Sequence, residues 1–333
     1  MQLNWRRVEK DSLNEIWNLV ATGCEEATFF HTPVWANVLN LTFPRWIPSP
    51  IAIEFSGGNL MVMPLMTTKI FRPLAQYSES MLPGVYGGPI LLKPAEENHW
   101  HSIWSLVNSL SDVVLYGNPY LHYIGHPNSI QRSIFTQVLD LTKGFDLIRK
   151  SFSKGHRADI TVSRKNGVEV KIASCRDEVE AYFKVYQDAI KRWGDQASGF
   201  YPIGLFYNLF QLGEYGKTVK LWIACLQGRV IAGAWSLYHN QHVVYWHGAV
   251  HSQYTSFHPT HLLVATMIED ACRNGFRWFD FNPSGGLEGV ERFKNGFGAQ
   301  YLTFNSYRRL TPLGKGYRFF RYYQEHNSRK CSL

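Results

Sequence analysis

One pattern of apolar runs occurs twice in this chain, and it limits the fold to sheets built from two similar units. Ile51-Ala52-Ile53-Glu54-Phe55 is followed by the turn Ser56-Gly57-Gly58-Asn59 and by the apolar run Leu60 to Leu65. Two such runs joined by a Gly-Gly turn make an antiparallel hairpin. Leu221 to Leu226, the turn Gln227-Gly228-Arg229 and Val230 to Trp235 repeat the arrangement. A third strand is expected after each hairpin, at Val85–Leu92 and at His242–His247. Each half then continues to a helix and one more strand: Glu96–Leu110 and Tyr120–Ile124 in the first half, Pro259–Asn274 and Phe276–Phe281 in the second. Gly275 stops the second of these helices. A repeated order of elements is harder to obtain by chance than any single strand, so the chain reads as an internal repeat of two α/β units.

The length of 333 residues exceeds one average domain, and the 45% of apolar residues supplies two cores. Between Thr142 and Ser153 the chain turns basic (Lys143, Arg149, Lys150), which places the expected boundary between domains at 1–145 and 146–333. Further elements follow from pattern. Asp11–Val20 reads as a short helix, and Thr32-Pro33 as an N-cap and first helical position. Ser129–Thr136 reads as a short helix. Ser153–Asn166 reads as a helix stopped by Gly167, Val168–Ala173 as a strand, and Arg176–Trp193 and Pro202–Leu212 as helices.

Net charge is +8 with a pI near 9.1. That balance favours acidic partners: phosphates, nucleotide-linked sugars, RNA, or peripheral contact with an anionic membrane face. The cysteines, Cys24, Cys175, Cys225, Cys272 and Cys331, are odd in number and widely spaced, against both a disulfide framework and a zinc knuckle. His101, His122 and His126 form no HxH or HxxxH pair, so no metal site is expected. Met1 to Arg7 lacks the apolar core of a signal peptide, and no apolar run approaches the roughly 20 residues that span a bilayer. A soluble cytoplasmic protein is expected.

The stretch from Phe276 to Ala299 concentrates the chemistry. An aromatic strand ends at Asp280 and Phe281, the Gly-rich turn Pro283-Ser284-Gly285-Gly286 follows, and Lys294 then stands between Phe293 and Asn295. A strand feeding a loop that returns a lysine is a common way to line a cleft for an anion. Ala271, Gly275, Asp280, Phe281, Phe293, Lys294, Phe297 and Gly298 together resemble the C-terminal signature of FemAB-like proteins, within the wider GNAT-type acyltransferase group. Phe30-His31-Thr32-Pro33-Val34-Trp35 and the basic segment Arg157 to Val170 are similar to it as well. The resemblance implies two tandem GNAT-like domains, each a mixed, mostly antiparallel sheet flanked by helices, with the acyl donor held where two strands of the second domain splay apart.

On that basis the candidate residues are Lys294, His247 and Asp280 for catalysis, and Arg157, Tyr245 and Lys294 for substrate binding. In an alternating strand Tyr245 and His247 share one face and Trp246 points away. His247 would take a proton from an attacking amine. Lys294 and Arg157 would meet a phosphate or a developing oxyanion. The implied activity is N-acyl or aminoacyl transfer to an amine of a cell-envelope or polysaccharide precursor, with acyl-CoA or aminoacyl-tRNA as co-substrate and no permanently bound cofactor. The GNAT pyrophosphate loop has no match around Ser252 to His261, which weakens the case for coenzyme A. The segment between Ala173 and Lys217 lacks sustained heptads for the arm found in many tRNA-using relatives. A different class of function fits the same charge: a non-catalytic module whose basic cleft holds a phosphorylated glycan or RNA.

Overall fold

The computed structural model describes residues 5–70, 75–81, 85–194, 200–213 and 215–331. In chain order it begins with β1 (Trp5–Arg7), α1 (Leu13–Gly23), α2 (Pro33–Thr42), β2 (Ile47–Pro48), β3 (Ile51–Phe55) and β4 (Leu60–Met63). Next come β5 (Met66–Ile70), β6 (Ala75–Glu79), β7 (Ile90–Leu91), α3 (Glu97–Ser109), β8 (Val113–Tyr116) and β9 (Ile130–Asp140). α4 (Phe145–Ser151), α5 (Lys154–Lys165), β10 (Glu169–Ile172), α6 (Arg176–Trp193) and α7 (Ile203–Leu212) follow. The chain continues through β11 (Val219–Leu226), β12 (Arg229–His239), β13 (His242–Val250), α8 (Pro259–Arg273), β14 (Trp278–Asp280) and α9 (Glu288–Asn295). It closes with β15 (Gln300–Arg309) and α10 (Pro312–Cys331). No helix among the described residues is long and apolar enough to cross a membrane.

Contacts divide the chain into two compact units, residues 1–135 with 302–325 and residues 136–301 with 326–333. This differs from the division expected at 145/146. The basic segment is not a linker: it forms α4 and α5 of the second unit, and the boundary falls inside the extended run of β9. The segment after Tyr301 returns to the first unit because β15 pairs antiparallel with β8, Ser306 opposite Tyr116. The buried Asp112 carboxylate then accepts hydrogen bonds from Thr311 N at 2.7 Å and Thr311 Oγ1 at 2.9 Å, fixing the turn into α10.

In the first unit an antiparallel sheet of order β1-β3-β4-β7 packs its apolar face on α3, where Trp100 and Trp104 stack 5.8 Å apart. β15-β8-β6-β5-β2 are paired alongside in a mixed arrangement, β6 running parallel to β8. Thr32 caps α2 by accepting from Trp35 N at 3.2 Å, with Pro33 in the first turn, as its residue types dictate. Three expected elements differ. The strand at Val85–Leu92 is confined to Ile90–Leu91. The strand after α3 is Val113–Tyr116, a fully buried apolar run, whereas Tyr120–Ile124 is irregular and packs Tyr123 edge-on against Trp100. Ser129–Thr136 leads into β9 instead of a helix, because Ile130, Ile134, Thr136 and Val138 recur at even spacing along it, and from Val138 the strand pairs with β14.

In the second unit the order is β10-β11-β12-β13-β14-β9. Every pairing is antiparallel except β13 with β14, which are joined by the α8 crossover, as parallel neighbours require. Ala232, Ala234 and Tyr238 face the apolar side of α8, whereas Gly233 and Trp235 face α6 and α7. Gly233 has a packing reason to be glycine: a Cβ there would fall 2.4 Å from the Tyr182 ring. The hairpins β3–β4 and β11–β12 hold corresponding places in β1-β3-β4-β7 and β10-β11-β12-β13. The second unit is thus a mixed, mostly antiparallel sheet flanked by helices, and the first divides its mostly antiparallel strands between two sheets, again with helices packed on them.

Candidate active site

The parallel pairing of β13 with β14 is short. His242, Val243 and Val244 stand opposite Trp278, Phe279 and Asp280, and there β14 ends. β13 continues to Val250 along β12 alone, so a gap opens on the β14 side from Tyr245 onward. At that point β13 also changes register. Trp235 faces His247 but Ser236 faces Tyr245, so β13 accommodates Trp246 as a bulge. A bulge inverts the alternation of side chains beyond it. Tyr245 therefore packs on the α8 side with Phe281, while His247 turns to the α6 and α7 side among Tyr182, Tyr186, Tyr201 and Phe206. The expectation that Tyr245 and His247 share a face fails for this reason. Tyr245 lies forward along its own strand, and a Cβ on Gly248 would fall 2.1 Å from its hydroxyl.

The surroundings decide what these groups can do. His247 Nδ1 shares a hydrogen bond of 2.6 Å with the Tyr182 hydroxyl, and burial among aromatic rings lowers its pKa to about 3. It is neutral at physiological pH and a weak base. Burial pushes the Tyr245 hydroxyl up to about 12, so it remains a phenol that can donate.

Beyond β14 the chain turns through Asn282, in the left-handed region at φ 61°, and through Gly285 and Gly286, both at positive φ. Asp280 is fully buried at the start of this turn. Its Oδ1 accepts from Thr136 Oγ1 at 2.6 Å and from Asn282 N at 2.7 Å. Lys294 is not the exposed loop cation that its glycine-rich neighbourhood suggests. It lies in the last turn of α9, only 4% exposed, and its ammonium donates to Asn282 O at 2.6 Å and Ser284 Oγ at 2.7 Å. Ser284 Oγ in turn donates to Gln137 Oε1, and Gln137 Nε2 to Asn295 Oδ1. Burial lowers the Lys294 pKa to about 8, opposed by the nearby Asp280 and Glu291 carboxylates. An ammonium has three N–H donors, and two are used here.

Arg157 lies on α5, exposed. Its Nη1 donates to Lys150 O at 2.8 Å and Phe152 O at 2.9 Å, satisfying carbonyls at the end of α4. Nη2 and Nε make no part of that cap. The structure thus groups Asp280 with Lys294 and sets Tyr245 at the opening of the strand gap. His247 lies on the opposite sheet face. Thr136, Gln137 and Ser284 complete the lysine network. Sequence patterns gave no signal for them, because single polar residues in a strand and a turn look like solvent-facing ones.

Residues 150–295 match the acetyltransferase (GNAT) domain family. No curated protein sequence is significantly similar to the chain. Among solved structures, FemX aligns over 90% of this chain and 96% of its own with a TM-score of 0.63 and 13% identity. L-PGS from Bacillus licheniformis aligns over 90% of this chain and 91% of its own, with a TM-score of 0.53 and 10% identity. A tandem GNAT protein from the clavulanic acid biosynthesis pathway covers 92% and 98%, with a TM-score of 0.51 and 11% identity. At such identities these likenesses concern fold. The region that parts β13 from β14 and buries Lys294 thus lies within the stretch that matches a GNAT acetyltransferase domain, in a chain whose fold is similar to FemX and to the tandem GNAT protein.

Proposed function

We propose that the protein transfers an activated acyl or aminoacyl group to an amine of a cell-envelope or polysaccharide precursor, from acyl-CoA or aminoacyl-tRNA. The observation that carries this reading is the parting of β13 from β14 at Tyr245 within a GNAT domain, with a buried ammonium held just beyond the end of β14. A neutral amine attacks the acyl carbon, and a C–N bond forms as the carbonyl electrons move onto oxygen. Collapse of the tetrahedral intermediate breaks the C–S bond of a thioester or the C–O bond of an aminoacyl ester. The amine's proton passes to solvent, and the leaving thiolate or alkoxide gains one. In this reading Lys294 offers its third N–H to the oxyanion, and the Tyr245 phenol donates to substrate in the strand gap. His247, with a pKa of about 3, does not serve as the base. Asp280 acts as a positioning residue through Asn282. Arg157 keeps Nη2 and Nε for a substrate phosphate.

The connection from β13 to α8 carries His258 and Pro259 where a GNAT pyrophosphate cradle needs glycines, and Pro259 has no N–H to offer. This favours aminoacyl-tRNA as the first donor to test. Purified protein would be incubated with acyl-CoA and aminoacyl-tRNA pools and nucleotide-linked envelope precursors bearing a free amine. Mass spectrometry is expected to show one acyl group gained on that amine. No transfer from any donor, with phosphorylated glycan or RNA still bound, would instead establish the non-catalytic binding role.

A further inference from the structure

Away from the strand gap, α5 and the start of α8 bring together three side chains that could hold a metal ion. Asp159 comes from the middle of α5, His258 precedes α8, and His261 sits in its first turn. One ligand atom from each lies within 4.8 Å of the other two. His258 Nε2 is 3.7 Å from Asp159 Oδ1, and His261 Nε2 is 3.4 Å from Asp159 Oδ2. The Asp159 carboxylate accepts no hydrogen bond from either ring at these separations. The shorter of them, 3.4 Å from His261, matches the ligand-to-ligand edge of a tetrahedral zinc site, about 3.3–3.4 Å for bonds of about 2.0–2.1 Å, and the 3.7 Å from His258 to the other carboxylate oxygen is longer than that edge. A fourth group is excluded from the set: His156, whose ring centre lies 4.6 Å from that of His261, donates through Nε2 to Phe293 O at 2.8 Å.

The setting holds the ligands on well-packed elements. α5 and α8 pack along one another, and Ile160, next to Asp159, belongs to the same apolar core as Leu262 and Leu263, which follow His261. His156 is wedged against Gly296, where a Cβ would fall 2.1 Å from its ring, so the wall behind His261 is fixed. The three ligands remain part-exposed, with side-chain exposures of 31%, 34% and 18% for Asp159, His258 and His261, which leaves an entry path.

We propose that Asp159, His258 and His261 bind one divalent transition-metal ion of the zinc class, leaving a fourth coordination position for water or an anionic oxygen. Two imidazoles and one carboxylate suit Zn²⁺ and Co²⁺ and do not suit Mg²⁺, which prefers an all-oxygen shell. The site is independent of the acyl-transfer reading.

The test is metal uptake by the full chain after dialysis against chelator. Titration with Co²⁺ is expected to saturate at one ion per chain with the intense visible bands of tetrahedral cobalt, and Zn²⁺ should abolish them. Asp159→Asn preserves shape and is expected to weaken Zn²⁺ binding tenfold or more, and His258→Ala with His261→Ala by about a hundredfold or more. His101→Ala with His122→Ala, which removes two exposed histidines of the first unit, should change nothing. Circular dichroism melts of each variant separate lost binding from lost folding. Absence of stoichiometric uptake, or uptake unchanged in folded Asp159→Asn and in the His258/His261 double variant, would overturn the site.

Discussion

Replacing Lys294 by methionine separates charge from packing at the candidate active site, because methionine fills a similar volume without the ammonium. Two opposing terms set the effect on stability. The fall of the Lys294 pKa from its usual 10.5 to about 8 means that the folded protein disfavours the charged form by about 3 kcal/mol. Against this, charged hydrogen bonds to Asn282 O and Ser284 Oγ contribute roughly 1.5–3 kcal/mol each. Lys294→Met at pH 7 is therefore expected to change stability by no more than about 2 kcal/mol, as when a buried charge gives way to a well-packed apolar group. The pH dependence is sharper. Below pH 8 both folded and unfolded chains carry the proton, and the burial penalty is fully present. Between about pH 8 and 10.5 the folded protein has lost the proton and the unfolded chain still binds it, so native stability rises with pH. Denaturant melts across that window should show native protein gaining on the Met variant by about 3 kcal/mol. If the third N–H meets the oxyanion, kcat should fall roughly 10²–10³-fold in the variant. Near-normal kcat in a folded Met variant would reduce Lys294 to a tie between α9 and the turn after β14. A flat stability difference between pH 8 and 10.5 would refute the buried charge itself.

Asp280→Asn removes a charge that supports protonation of Lys294, so the alkaline rise in stability should begin below pH 8; measured by pH-resolved melts, it should accompany a loss of about 1–3 kcal/mol. His247→Gln should leave the pH–rate profile between pH 5 and 8 unaltered, because a histidine of pKa about 3 does not titrate there; loss of an acidic limb near pH 6.5 would restore it as a base. Gly296→Ala should lower stability by about 1–3 kcal/mol, read as a drop in melting temperature, because its Cβ overlaps the His156 ring; an unchanged melt would show that the ring moves aside freely.

Much of the second unit was legible from local pattern. The helix Arg176–Trp193 coincides with α6, and Pro259 to Gly275 brackets α8, because caps and breakers act on their immediate neighbours. The hairpins were legible for the same reason. What local pattern misjudged depended on distant pairing. β9 looked like a short helix until Val138 met Asp280, and the segment after Tyr301 looked like part of the second domain until Ser306 met Tyr116. No run of residues reveals a partner strand that lies far along the chain.

The site shows the same limit at atomic scale. Lys294 was conspicuous between Phe293 and the glycines, yet neighbours in sequence did not reveal that α9 would turn its ammonium inward. That inward turn converts the residue from a surface charge into a group with a pKa near neutrality, and so changes which chemistry it can perform. His247 moved the opposite way: a strand read by strict alternation puts it beside Tyr245, and one bulged residue, Trp246, puts it on the other face. His258 and His261, at the start of α8, give no signal in the sequence because their spacing becomes a ligand pair only when Asp159, far upstream on α5, is packed against it. In each case the residue type was visible and its chemistry was not, because burial and the third partner are properties of the fold. A lysine, a histidine and an aspartate are only candidates until the structure says which of them has kept a free donor, a usable pKa or an open coordination position.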